Sequence, residues 1–254
     1  MTDAPSPTAT MLAIGDELLS GRTKDLNVGH LADAMSGAGI DLIEVRFVRD
    51  DEDVIVEALN ALRERGTYCF TSGGIGPTHD DITADAVSKA FGVPCEHDAN
   101  AMALLRDHYT ARGYEFTEGR QRMARMPRGA RHIENRVSVA PGFNIGNVYV
   151  MAGVPPVFQA MLDAVIPTLE GGAKVDSRSV SVPRSLGEGD IAAPLAEIDR
   201  AHSAVVIGSY PRFQDGGYAV EIVLRSRDGD ALQAAHDAVT AMVAALDGRV
   251  PATG

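Results

Sequence analysis

The chain has 254 residues, 45% hydrophobic and 23% charged, an ordinary globular composition that argues against a disordered chain and is long enough for a full core plus a small second domain. Its 23 Lys and Arg stand against 35 Asp and Glu, and the net charge of −12 argues against a general nucleic-acid binder, so an anionic ligand must be met by local cations, metals or backbone amides. Two cysteines, no run near the ~18 apolar residues of a membrane span and no signal-peptide order in MTDAPSPTAT lead to the expectation of a reduced, cytoplasmic protein with no membrane partner.

After a polar tail, TATMLAI reads as a first strand ending at the turn Gly15-Asp16-Glu17. Val28, Leu31, Ala32 and Met35 then keep a helical period, with Asp25 or Asn27 as cap and Gly37 and Gly39 as stop. DLIEVRFV alternates Ile43, Val45 and Phe47 with charged residues, as a half-exposed strand near a sheet edge does. Asp51 caps a helix carrying Ile55, Ala58, Leu59 and Leu62, and TYCFTS is a short central strand with Cys69 in the core. Ile82, Ala86, Ala90 and Phe91 mark the next helix, and 99–112 and 120–126 are also read as helical. APGFNIGNVYVMAG predicts a hairpin turning at Gly146-Asn147, and Pro155-Pro156 opens a further helix. The alternation predicts an α/β fold, a three-layer α/β/α sandwich on a mostly parallel sheet, whose site collects at the carboxyl ends of the strands. At Gly171-Gly172 the pattern changes to strand, helix, strand, strand, helix, so a small α+β domain is expected at 171–254 after a first domain at 1–170.

TSGGIGPTHDDIT, from Thr71 to Thr83, joins a buried strand to a helix. Gly73, Gly74 and Gly76 let backbone N–H groups converge on an anion at the positive end of a helix, although the spacing is neither a Walker A loop nor a dinucleotide fingerprint, and a tight turn would use the same glycines. Asp80 and Asp81 do not help an anion by their own charge; they make sense where a hard divalent cation bridges them to phosphate oxygens. Thr83 is available as helix cap and Asp85 as first-turn acid, which leaves the acidic pair for chemistry. Asp16, after the first strand, is placed to complete a metal site with Asp80 and Asp81. Seven arginines against three glutamates from Arg112 to Arg136 form a local basic excess, in which Arg122 or Arg125 is a candidate phosphate clamp. His79 is read as polar loop filling or a metal ligand, Asn27 as a cap or a ligand contact, and Tyr210 and Phe213 as core or interface packing.

IGDELLSGRTKDLN, SGGIGPTHDDITADAVSKAF, APGF and NVYVMAGVPP together resemble the molybdopterin-binding (MoaB/Mog-type) domain family, over about Met11 to Leu169. The subgroup indicated is that of CinA and the N-terminal domain of bifunctional FAD synthases; RMARMP, THDD and SYPRF look more like the FAD-synthase domain, and the likeness from SYPRF to Arg227 is weaker. The resemblance implies that the GGxGPTxDD loop holds a phosphate or pyrophosphate of a pterin or nucleotide together with magnesium or another divalent metal. Carried over by position, Gly73, Gly74 and Gly76 supply the anion loop, Asp81 matches the family's acid before the helix and Asp16 the acid of its GDEL turn. With the residues read above, the expected site is Gly73, Gly74, Gly76, Thr78, Thr83 and Arg122 for the ligand, and Asp16, Asp80 and Asp81 for the metal and catalysis. Three functions fit: metal-dependent hydrolysis of the pyrophosphate of a dinucleotide such as FAD or ADP-ribose, adenylyl transfer to the pterin in molybdenum cofactor synthesis, or non-catalytic binding of a pterin or nucleotide. Hydrolysis is the favoured expectation, in a homo-oligomer joined through an element such as the half-exposed strand 43–47.

Overall fold

The computed structural model describes residues 6–214 and 217–248, and the chain divides into two compact units, 1–172 and 173–254. The first unit carries β1 (Thr8–Ile14), α1 (Asp16–Leu19), α2 (Asn27–Gly37), β2 (Asp41–Val48), α3 (Glu52–Arg65), β3 (Tyr68–Ser72) and α4 (Thr83–Phe91). It continues with β4 (Cys95–His97), α5 (Ala99–Ala111), α6 (Glu118–Arg122), β5 (Arg125–Pro127), β6 (Arg131–Ile133), β7 (Gly142–Ile145), β8 (Val148–Met151) and α7 (Pro155–Val165).

A six-stranded sheet runs β2-β1-β3-β8-β7-β6, in which β2, β1, β3 and β8 are mutually parallel and β7 is antiparallel to both its neighbours, β8 and β6. The second arm of the predicted hairpin is therefore a parallel partner of β3, with Cys69 opposite Val148 and Ser72 opposite Met151. Strand alternation divides the core in two. Leu12, Ile14, Cys69 and Val150 face α3, α4 and α5, while Met11, Phe70 and Met151 face α2 and α7. This is the expected three-layer sandwich. β2 lies at an edge, and Ile43 and Phe47 stay 47% and 43% exposed there.

Local chemistry sets the helix ends. The Asp51 carboxylate accepts from the amides of Asp53 and Val54, and Asp98 caps α5 through Asn100 and Ala101 in the same way. The segment 120–126 departs from its helical reading. Helix α6 stops at Arg122 because Pro127 biases Met126 toward extended backbone, and β5 pairs with β4 while Ala124 and Met126 enter the core. At α2 the cap is Asp25, whose carboxylate accepts from Val28 N at 2.9 Å. Asn27 does not cap: it is buried and spans from α2 to the sheet, donating to Ser72 Oγ at 2.7 Å and Gly153 O at 2.8 Å.

The second unit is a three-stranded antiparallel sheet with order β10-β11-β9, built from β9 (Asp176–Val182), β10 (Val206–Gln214) and β11 (Gly217–Ser226), with α8 (Glu188–Ala201) and α9 (Gly229–Asp247). Its own core holds Ile191, Ile222, Leu224, Leu232 and Val239. Tyr210 stands 45% exposed on β10 and packs no core; the side chain of Phe213 lies outside the described residues. Among the described residues no helix is long and apolar enough to cross a membrane.

Candidate functional site

A cleft of about 520 Å³ opens at the carboxyl ends of β1, β3 and β8. Its wall includes Gly15 and Glu17 after β1, Asp50 after β2, the loop 73–77 with Asp80 and Asp81 after β3, and Gly153 and Val154 after β8. Ile75, Met123, Ala140, Val157 and Met161 supply apolar surface on the same wall. The loop can lie this close to the sheet only because two residues lack a side chain. Gly73 has φ 107°, and a Cβ there would stand 2.2 Å from Ile14 O; Gly74 has φ 68°, and its Cβ would meet Thr83 Oγ1 at 2.1 Å. Gly73 N donates to Met151 O at 3.1 Å, and Thr83 Oγ1 donates to Gly73 O at 3.0 Å, so the turn is fastened to β8 on one side and to the first residue of α4 on the other.

The anion-holding geometry of the loop is directed in part at its own side chain. Asp81 accepts from Gly76 N at 2.7 Å, from Thr78 N at 2.7 Å and from Thr78 Oγ1 at 2.5 Å. Opposite it, Asp50 is half-buried and accepts from Asp16 N at 2.9 Å. Burial pushes the Asp50 carboxyl up from the ordinary aspartate value of 3.8; the Asp16 amide opposes this, and the carboxylates of Glu17, Asp16 and Asp80 add to the rise. Asp80 moves the other way, held down foremost by the neighbouring Thr78 hydroxyl and its own backbone amide, with His79 and Arg122 nearby. One cleft thus combines a carboxyl that resists ionisation with one that favours it, an arrangement suited to separate acid–base and charge-bearing roles.

The sequence-predicted residues do not all meet there. Asp80, Asp81, Gly73, Gly74 and Gly76 line the cleft. The side chain of Asp16 does not; it is largely exposed with Arg49 at 3.9 Å, because the first turn of α1 presents Glu17 to the cleft instead. The triad Asp16, Asp80 and Asp81 is therefore not assembled, since Asp81 is spent on the loop and Asp16 turns to Arg49; among the described residues no three His, Cys, Asp or Glu side chains gather as metal ligands. Thr83 provides no cap bond and is used as a loop fastener. Thr78 and Arg122 line a neighbouring cleft, where Arg122 donates to Asp81 O through Nη2 at 3.1 Å. His79 is fully exposed beside Asp80, at 3.9 Å. Asp50 and Asn135 are functional candidates that sequence reasoning missed. Asp50 directly follows β2, so the rule that sites gather at parallel strand ends pointed to it. Nothing local marked Asn135, which accepts from Val137 N and Ser138 N, donates to Ala140 O, and so shapes a cleft-lining loop in which Val139 has φ 69°.

Comparison with known proteins agrees with this architecture. A protein from Pyrobaculum arsenaticum is 35% identical over 234 residues, covering 89% of this chain and 88% of its own length. One from Caldivirga maquilingensis is 32% identical over 209 residues, covering 80% and 81%. Among solved structures, a protein named CinA, of unknown function, from Thermoplasma acidophilum superposes with a TM-score of 0.60 at 31% identity, covering 65% of this chain and 99% of that one. Residues 177–247 match the sequence model described as FAD synthase, middle domain, which lies in the second unit. Residues 10–171 match the probable molybdopterin binding domain, and the chain belongs to that family, in its CinA-like and FAD-synthase-like subgroup.

Proposed function

We propose that the first unit binds the pyrophosphate of a dinucleotide, of the FAD or ADP-ribose type, in the cleft beside β3 and hydrolyses it with the help of a divalent metal. Family membership supports pterin or nucleotide binding. The observation that carries the step to hydrolysis is Asp50, a half-buried carboxyl with a raised pKa across the cleft from a glycine-rich anion loop.

The donor set fits a hard cation. Every titratable side chain on the cleft wall, Glu17, Asp50, Asp80 and Asp81, offers carboxylate oxygen. Magnesium is commonly held by one or two carboxylates, with waters and substrate phosphates completing the shell, so the lack of a three-residue cluster among the described residues is compatible with it. Glu17 and Asp80 would hold the ion, which supplies neutralisation of phosphoryl charge when bound. The chain supplies the rest. Gly74 and Ile75 bring backbone to the phosphates next to the positive end of α4, and the apolar wall of Met123, Val157 and Met161 takes a flat ring. Asp50 accepts a proton from the attacking water as its oxygen bonds to one phosphorus. The bond from that phosphorus to the bridging oxygen breaks, and the bridging oxygen leaves on the second phosphate, giving two monophosphates.

The test is to incubate purified protein with a panel of dinucleotides and divalent metals and follow mononucleotide release by chromatography, beside Asp50→Asn. Turnover that falls by roughly 10²- to 10⁴-fold in the variant supports the reading. Tight nucleotide binding with no turnover in any metal would leave a carrier instead, and joining of adenylate to a pterin phosphate a transferase.

A further inference from the structure

Next to the main cleft lies a second one, of about 560 Å³, which shares Pro77 with it. Its wall is formed by Thr78 and His79 from the loop, His97 from β4, and Glu118, Gln121, Arg122 and Arg125 from α6 and β5. The pairing of β4 with β5 sets His97 directly opposite Arg125. The two clefts divide charge between them. The titratable groups of the main cleft are all acidic, whereas this wall carries two arginines and two histidines against the single carboxylate of Glu118, in a chain of net charge −12.

Both guanidiniums are held before any ligand arrives. Arg125 forms a bidentate pair with Asp85, a residue of the first turn of α4 that is not on the cleft wall. Arg122 is fixed by Nε and Nη2 to Asp81 O and stands 3.9 Å from Asp85, so one acid serves two cations. A guanidinium has five N–H donors in a planar fork, and those of Arg122 are not exhausted by one carbonyl. Fixed forks flanked by imidazoles match a group with three terminal oxygens and two negative charges better than a singly charged diester or carboxylate.

We propose that this second cleft is an anion subsite for a phosphomonoester, and that the substrate of the main cleft is a nucleotide bearing one on its ribose. The anion site stands on this geometry; its link to turnover rests on the pyrophosphate reading above. The experiment is calorimetric binding of adenosine 2′,5′-bisphosphate, adenosine 3′,5′-bisphosphate and adenosine 5′-monophosphate to the whole chain. These are measured with wild type and with His79→Glu/His97→Glu, two exposed positions whose exchange makes the wall acidic and leaves the Arg122 contact to the loop in place. At least one bisphosphate should bind about tenfold or more tighter than the monophosphate, the scale of one charge-assisted contact, and the double variant should erase the difference while melting as wild type does. Arg122→Gln should erase it too. Bisphosphates that bind no tighter than the monophosphate, or a preference that survives in the double variant, would overturn the subsite. Mononucleotide release from dinucleotides with and without a ribose phosphate separates the two ideas. Turnover without the preference removes the subsite alone, and the preference without turnover removes hydrolysis alone.

Discussion

Replacing Asp81 by asparagine tests whether this carboxylate serves the loop or the chemistry. Its two oxygens accept three hydrogen bonds, from Gly76 N, Thr78 N and Thr78 Oγ1. An amide placed with its oxygen toward Thr78 keeps two of these and turns an N–H₂ toward the Gly76 amide, donor against donor. Leaving that half-buried donor unmet, and losing the charge from the others, costs on the order of 1–3 kcal/mol. For a unit of this size each kcal/mol lowers Tm by about 2–4 °C. Asp81→Asn should therefore melt several degrees below wild type by differential scanning fluorimetry, while Asp80→Asn, whose carboxylate is exposed, should not. In a double-mutant cycle with Thr78→Val the two losses should be less than additive, because Asp81→Asn already takes the charge from the Thr78 Oγ1 contact that Thr78→Val removes outright. An Asp81→Asn protein that melts within about 1 °C of wild type would refute the reasoning, since a loop fastened by three bonds cannot lose its acceptor without a stability change.

The fold's preference for neutral Asp50 gives a stabilising contribution at low pH that declines as pH rises from 3.8 through the raised value; Tm against pH should show this decline in wild type and not in Asp50→Asn, and kcat should climb along the same limb as the base ionises. Asn27→Ala leaves Ser72 Oγ without its donor in the interior and Gly153 O without one at the cleft wall, and should cost about 1–3 kcal/mol in a urea melt; a variant as stable as wild type would show that water replaces the amide. Burial pushes the Cys69 thiol up to about 11 and Cys95 also upward, so a thiol reagent near pH 8 should leave Cys69 untouched in native protein and titrate both in denaturant. The exposed Ile43 and Phe47 on an edge strand are expected to be covered in a homo-oligomer, so light scattering should give a mass above the 26.8 kDa of one chain, and Phe47→Glu should reduce it.

Most of the scaffold was written in local patterns. The periods of Ile55 to Leu62 and of Met11 against Leu12, the Asp51 cap and the edge character of 41–48 follow from neighbouring residues, and so does the position of the 73–81 loop at a strand end. What sequence could not supply were partners far along the chain. Asp81 is the local exception: its donors Gly76 and Thr78 are only five and three residues back, but they turn toward its carboxylate only once the loop closes on itself. Asn27 resembled a cap because nothing near it announces Gly153, and Arg122 resembled a clamp for the main cleft because its helix ends one turn earlier than its composition suggests and β5 carries the arginines to another wall. Asp16 and Glu17 differ by one position on a short helix, and only the backbone direction decides which of them faces inward.

The parallel pairing of β3 with β8 also dictates when this cleft can come into being. Gly73 N is anchored to Met151 O, and Cys69 N to Asn147 O, so the glycine loop is shaped by residues translated long after it. A nascent chain that has emerged only as far as α5 has every glycine and aspartate of the loop but not β8, on which Gly73 N is anchored. Such long-range closure is slow compared with local helix formation, and phosphate protection of the loop against proteolysis should therefore appear in a series of C-terminal truncations only when residues 142–165 are included.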